Sequence, residues 1–245
     1  MRNSVYLLFA LAAGIALSCG QRGTAGGPLS ADSSLISRPG DSAIYGLACD
    51  GSSDTLLVLL RDVDTDPDTF NMLEAVMNRQ VFGRPAAGDL LAVMLSGDSA
   101  RSVQKIINME RLKGSWCYMV TPTLRRRAGM SDEKYRQLLD QMPDSLRRRW
   151  IVPKEFGFQL RANNVCLPVG ERIEDEKNSP IVYEKPRRYR EWRLQNCQLL
   201  LSEHLRDTTA EQWKILTDTA EFVRLSRDTL VLRFGDGERT YYKKP

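Results

Sequence analysis

The chain has 245 residues, 42% hydrophobic and 27% charged, with 35 Lys+Arg against 31 Asp+Glu for a formal net charge of +4. That is enough for one large or two small domains with a packed core, and it excludes wholesale disorder and fibrous repeats. A single histidine, His204, excludes sites with two histidine ligands and forces any Ser-His-Asp or Cys-His catalyst through one residue.

At the N-terminus, Arg2 precedes an unbroken apolar run, Val5–Leu17. Thirteen residues are too few to cross a bilayer core, which needs about 20. Charge, apolar run and small residues together have the layout of an export signal over 1–18. Ala16-Leu17-Ser18-Cys19 follows at once and resembles the bacterial lipobox, with Ala16 departing from the usual larger aliphatic residue. The resemblance implies cleavage before Cys19 and lipidation of its thiol. Ordinary signal peptidase would cut the same bond, so the two readings differ only in the fate of Cys19. Gly20 rather than Asp after the cysteine implies, by likeness to Gram-negative lipoprotein sorting, the outer membrane. Residues 19–41 are rich in Gly, Ser and Pro and have no periodicity, which predicts a flexible tether reaching roughly 25 Å.

Residues 42–109 read as a small β-rich domain. Ala43–Ala48 and Thr55–Leu60 flank an Asp50-Gly51 turn, the signal of a hairpin. Asp66 and Pro67 look like the N-cap and first position of a helix carrying Phe70, Leu73, Val76 and Met77 on one face. Leu90–Leu95 and Ser102–Asn108 are further strands. Two strands, a helix and more strands suggest a small barrel of oligonucleotide/oligosaccharide-binding (OB) type. Asp62-Val63-Asp64-Thr65-Asp66 begins like a calcium loop, but Pro67 and Leu73 stand where such a loop needs Gly and Glu. No metal site is expected.

Residues 110–245 carry the most specific signal. Gly114-Ser115-Trp116 opens the apolar run Cys117–Val120, after a short turn that 108–112 could make. This resembles the Gly-x-Trp signature of lipocalins. Sequence-adjacent hairpins follow, around 161–164, Asn196-Cys197 and Gly235–Gly237, the cadence of an up-and-down meander. The resemblance implies a lipocalin-like barrel over the second half, with Gly114 and Trp116 as structural signature and an arginine, nearest Arg239, lying over the tryptophan. The fold class expected is therefore mainly β: a small OB-type barrel with one helix, then a lipocalin-like barrel.

Between the first two strands, 122–153 form an insertion. Ser131 is placed to cap a helix with Tyr135, Leu138, Leu139 and Met142 on one face. It serves either as a lid on the barrel mouth or as a cover on the outer wall.

Period-2 alternation groups Trp116 with Tyr118, Phe156 with Phe158, and Arg190 with Trp192. If those faces point inward, Tyr118, Phe158 and Trp192 bind the body of a small apolar ligand and Arg190 its acidic head. The alternative is that the aromatics fill the core and the protein is a structural or protein-interaction subunit of an envelope complex. The sequence has no G-x-S-x-G, no Walker loop and no C-x-x-C, so the chain reads as a non-enzyme without cofactor. Cys49, Cys117 and Cys166 sit in apolar runs and read as free buried thiols. Partners expected are a membrane through the lipid anchor, a small ligand and envelope proteins, but no nucleic acid, despite Arg125-Arg126-Arg127 and Arg147-Arg148-Arg149.

Overall fold

The computed structural model describes residues 39–97, 99–126, 129–173, 179–206 and 213–245. The expected export signal, Cys19 and most of the expected tether lie outside them. The last tether residues are docked: Asp41 Oδ1 accepts hydrogen bonds from Ala43 N (3.0 Å) and Asn196 N (2.9 Å), and Oδ2 accepts from the Tyr45 hydroxyl (2.7 Å). The expected tether thus ends before Asp41, because that carboxylate finds three donors.

The first unit contains β1 (Ile44–Ala48), β2 (Leu56–Leu60), β3 (Asp68–Asn71), α1 (Leu73–Met77), β4 (Val81–Phe82), β5 (Leu90–Ser96) and β6 (Ser99–Asn108). Their order is β3-β2-β1-β5-β6-β4, and a parallel contact between Asn71 and Ser102 joins β3 back to β6. Five strands thereby close into a small OB-type barrel with α1 at one end. The interior holds Leu57, Leu59, Phe70, Leu91, Val93, Val103 and Ile106. Leu90, Ala92 and Ile107 point the other way, into the core of the second unit. Both faces of β5 are buried, which explains why Leu90–Leu95 is continuously apolar instead of alternating.

One expectation is corrected here. Residues 68–71 are a strand, not the first turn of a helix. Pairing of Phe70 with Leu57 buries its ring, and the helix begins only at Leu73. Leu73, Val76 and Met77 are exposed, and Ala75 faces inward.

A single turn, α2 (Met109–Leu112), leads to the second unit. Asn108 caps it by accepting from Arg111 N at 3.0 Å, while its buried amide donates to Asp89 Oδ2 at 2.7 Å. There follow β7 (Gly114–Val120), β8 (Thr123–Leu124), α3 (Asp132–Asp140), α4 (Asp144–Trp150), β9 (Lys154–Leu160), β10 (Cys166–Val169), β11 (Ile181–Val182), β12 (Glu191–Gln195), β13 (Gln198–Arg206), β14 (Trp213–Leu225), β15 (Thr229–Phe234) and β16 (Gly237–Lys244). Eight of them run antiparallel in the order β10-β9-β7-β16-β15-β14-β13-β12. The two ends of that ladder meet: Cys166 N donates to Arg190 O and Trp192 N to Asn164 O, each at 2.9 Å, and Val165 bridges Glu191. The sheet is a closed eight-stranded up-and-down barrel, the lipocalin-like order.

Asn196 and Cys197, both at positive φ (51° and 53°), form the two-residue turn between β12 and β13. The expectation of separate strands at 212–217 and 221–225 is corrected: β14 is one strand of thirteen residues, since Asp218-Thr219-Ala220 contains no breaker and pairs throughout with β13.

The turns at the β12–β13 and β14–β15 corners form the base, which rests on the first unit. Ser42 N donates to Asn196 Oδ1 at 2.9 Å, Gly83 N donates to Leu225 O at 3.1 Å, and the Phe82 and Phe222 rings lie 5.7 Å apart. The insertion leaves and re-enters at the opposite end, the mouth. There β8 pairs with β11 as a separate ribbon.

Ser131 caps α3 by accepting from Lys134 N at 3.3 Å, as its spacing predicts. Neither α3 nor α4 buries a residue. They hold one another instead, with Arg147 Nη2 donating to Leu139 O at 2.6 Å. The insertion is therefore neither a sealed lid nor a wall-covering helix.

Candidate functional site

The barrel base is built on Trp116. Its indole is fully buried and Nε1 donates to Leu112 O at 2.7 Å, tying α2 to β7. Lys243 lies over the ring, its Nζ 4.9 Å from the centroid, and donates to Arg111 O at 3.0 Å. The expected cover, Arg239, lies elsewhere. Tyr242 pairs with Cys117 and Lys243 with Trp116, which leaves Arg239 at the far end of β16. Burial lowers the Lys243 pKa, and the nearby Arg111 adds to it. Gly114 sits at φ +128°, where an L side chain is strained, and a Cβ there would come within 2.6 Å of Lys243 Cε and push that side chain aside.

The middle of the barrel holds a cluster of buried rings. Phe158 stands 5.1 Å from Tyr241 and 6.1 Å from Tyr189, and Tyr118 meets Tyr241 edge-on at 5.2 Å. Phe156, Trp192, Leu201 and Leu232 are buried with them. Of the four residues expected to bind ligand, Phe158 and Tyr118 share one aromatic cluster through Tyr241. Trp192 sits near the base, its Nε1 donating to Arg161 O at 2.7 Å. Arg190 does not join them. The alternation expected from Trp192 and Leu194 breaks ahead of β12: Tyr189 is the buried residue and Arg190 is exposed. The backbone of Arg190, not its side chain, does the work of closing the barrel.

The mouth holds a cleft of about 520 Å³ lined by Tyr118, Arg187, Tyr189, Asp218, Phe234 and Arg239 among others. Arg239 lies between two rings, 5.1 Å from the Tyr118 centroid and 5.6 Å from that of Phe234. Across from it, Asp218 Oδ2 accepts from the Tyr189 hydroxyl at 2.6 Å and pairs with Arg187 at 3.1 Å. Burial, then the Asp218 carboxylate, pushes the Tyr189 hydroxyl far above the usual phenol range. This arrangement suits non-covalent capture: a fixed cation, two ring faces and a hydrogen-bonded carboxylate at a wet opening. Sequence reading missed it because Asp218 and Arg239 meet only through the register of β14, β15 and β16.

His204 lies within β13, with Nε2 3.5 Å from Glu191 Oε1. Among the described residues, no group of three or more His, Cys, Asp or Glu is placed to hold a metal, and no helix is long and apolar enough to cross a membrane.

Cys49, Cys117, Cys166 and Cys197 are free thiols, the last three buried. Burial pushes Cys166 and Cys197 up to about 12. An unfolded chain releases those protons near pH 8.5. The folded state therefore binds protons more firmly above that pH, and stability present below it is lost as pH rises toward 12. Tyr45, Tyr189 and Tyr241, all raised first by burial, act in the same direction above about pH 10. Urea midpoints are expected to hold level to about pH 8 and fall steadily above it. A level midpoint to pH 11 would contradict the burial of these groups.

No protein-family model matches this chain, and no curated protein matches it. Among solved structures, a lipocalin-like protein from Bacteroides thetaiotaomicron VPI-5482 is similar to it at 18% identity and a TM-score of 0.28, over 54% of this chain and 95% of that one. The barrel itself rests on its own closed strand ladder.

Proposed function

We propose that this chain is a lipid-anchored, non-catalytic protein of the bacterial cell envelope, held at the outer membrane through Cys19, that binds a small, largely apolar ligand with an acidic head at the mouth of its second barrel. The observation that carries this reading is the 520 Å³ cleft in which Arg239 is fixed between Tyr118 and Phe234. The ligand's head meets Arg239 and its body lies on the two rings. Arg190, exposed, has no part in it. The cluster of buried rings below supports binding at the mouth and not deeper in the barrel.

That same cluster favours a second reading, a scaffold subunit that presents its surface to other envelope proteins. Exposed Trp213, Ile215 and Leu205 on the β13–β14 hairpin support it.

Calorimetric titration of the full chain with fatty and aromatic carboxylates separates the two. Binding that falls about tenfold in Arg239→Gln, at unchanged melting temperature, and is untouched by Arg190→Gln supports the mouth site. No binding by any acid, together with no passenger in native mass spectra of protein taken from its own cells, leaves the scaffold. The anchor is tested in the same cells: labelled palmitate enters the chain and is absent from Cys19→Ser.

A further inference from the structure

The mouth cleft has two poles, and an acidic head meets only one of them. Arg239 is the first. Its Nη2 reaches toward Asp236 at 3.7 Å and its guanidinium lies against Phe234, so its charge stands at the level of the β15–β16 turn. Asp218 on β14 is the second. Both line the same cleft, so a ligand that fills it meets both.

Asp218 is held ready to accept. The Tyr189 hydroxyl donates to its Oδ2 at 2.6 Å, and Arg187 Nε pairs with the same oxygen at 3.1 Å. An ionised carboxylate accepts about four hydrogen bonds over its two oxygens, so Oδ1 can still take a donor. Arg187, 44% exposed, can give way into water as a second cation arrives.

The register sets the distance between the poles. Glu221 pairs with Arg233, which puts Phe234 level with Ala220, and Asp218 lies two residues further along β14. Two residues are about 7 Å of strand and neighbouring strands lie about 4.8 Å apart, so the two charges stand on the order of 10 Å from one another. A simple fatty acid suits one pole and not the other. With its carboxylate on Arg239, its tail would strip water from Asp218 and offer no donor in return, which is costly for an ionised group. An ammonium at the far end replaces that water with a charge-assisted hydrogen bond.

We propose that the mouth cleft takes a short apolar peptide with both ends free, about three extended residues long at about 3.3–3.6 Å each. Its C-terminal carboxylate lies on Arg239, its N-terminal ammonium on Asp218, and its side chains against Tyr118 and Phe234. This rests on the function proposed above and adds to it a second charge at the far end of the ligand.

The test titrates the full chain calorimetrically with trileucine, N-acetyl-trileucine, trileucine amide and decanoate. Trileucine is expected to bind about tenfold or more tightly than N-acetyl-trileucine, which lacks the ammonium, and than the amide, which lacks the carboxylate. In Asp218→Asn the two acids of that series are expected to bind within about twofold of one another, with N-acetyl-trileucine at its original affinity, whereas a merely structural Asp218 would weaken both alike. The comparison of trileucine with its N-acetyl form on the unaltered chain needs no variant, so it decides the matter even where Asp218→Asn does not fold. Equal binding of those two peptides, or equal loss of both in Asp218→Asn, would overturn the inference. Decanoate binding that depends on Arg239 would then leave the acidic-head reading standing. Binding of none of the four probes would overturn that reading and the inference together.

Discussion

Alanine at position 157 is expected to lower the melting temperature by about 10 °C or more, or to prevent the second barrel from forming. Gly157 lies opposite Cys117 in the β7–β9 ladder, and a Cβ there would collide with the Trp116 carbonyl oxygen and come within 2.9 Å of Cys117 Cα. Both obstacles are backbone. They cannot swing aside as a side chain does, and retreat of β7 would strain its pairing with β16 on the other edge as well. Overpacking of flexible neighbours costs about 1–3 kcal/mol, and a clash with two paired strands belongs at or beyond the top of that range. At 2–4 °C per kcal/mol for a chain of this size, a cost of about 4 kcal/mol gives the stated shift. Gly235→Ala is the matched control in the same barrel, because nothing lies within 4 Å of a Cβ there. Differential scanning calorimetry of the two variants decides the point. Equal melting temperatures would mean that β7 and β9 do not approach so closely.

What could be read from sequence follows from which features are local. Hairpin turns are local: Asn196-Cys197 and Gly235-Asp236 announce themselves, and the strands on either side fall into place by alternation. Gly114 and Trp116 are local too, since the strand entry and the plugging ring sit two residues apart. The OB-type barrel was legible in its element order, but its third strand was not. Asp66-Pro67 carries a helix-start pattern, and only pairing with β2, nine to fifteen residues away, turns 68–71 into a strand.

The site is less legible than the fold for the same reason. Arg190 falls on the inner face only if the alternation of β12 is extended one residue past the strand that supports it. Arg239 was expected over Trp116, but the register of β16 against β7 puts Lys243 there and sends Arg239 to the mouth. Four residues along a strand move a side chain about 13 Å and change the end of the barrel it serves. The β8–β11 ribbon was illegible altogether: its two-residue strands lie more than fifty positions apart, and no periodicity survives in segments so short.

Trp116→Ala is expected to cost about 4 kcal/mol or more. Removing a fully buried indole forfeits about 3–5 kcal/mol in transfer and cavity terms. It also leaves Leu112 O without its donor, at about 1 kcal/mol or more for an unpaired buried carbonyl. Lys243 loses the ring it lies over, a smaller loss of about 0.5–1 kcal/mol. The consequence should not stop at the barrel. Met109 and Leu112 on α2 pack in the same core as Trp116, and α2 is the only covalent step from β6 to β7. Hydrogen exchange is therefore expected to quicken over 109–113 in Trp116→Ala. Trp116→Phe, which keeps most of the ring and loses the N–H, should retain about half the stability lost. Trp213, 67% exposed, provides the contrast, and its replacement by alanine should change the unfolding free energy by no more than about 0.5 kcal/mol. Chemical denaturation of the three variants, read by far-ultraviolet circular dichroism so that loss of a fluorophore does not matter, gives the ranking. If Trp116→Ala and Trp213→Ala fall together, the indole is not the joint between α2 and the barrel base, and the two units are held by their outer contacts at Ser42, Gly83 and Phe82 instead.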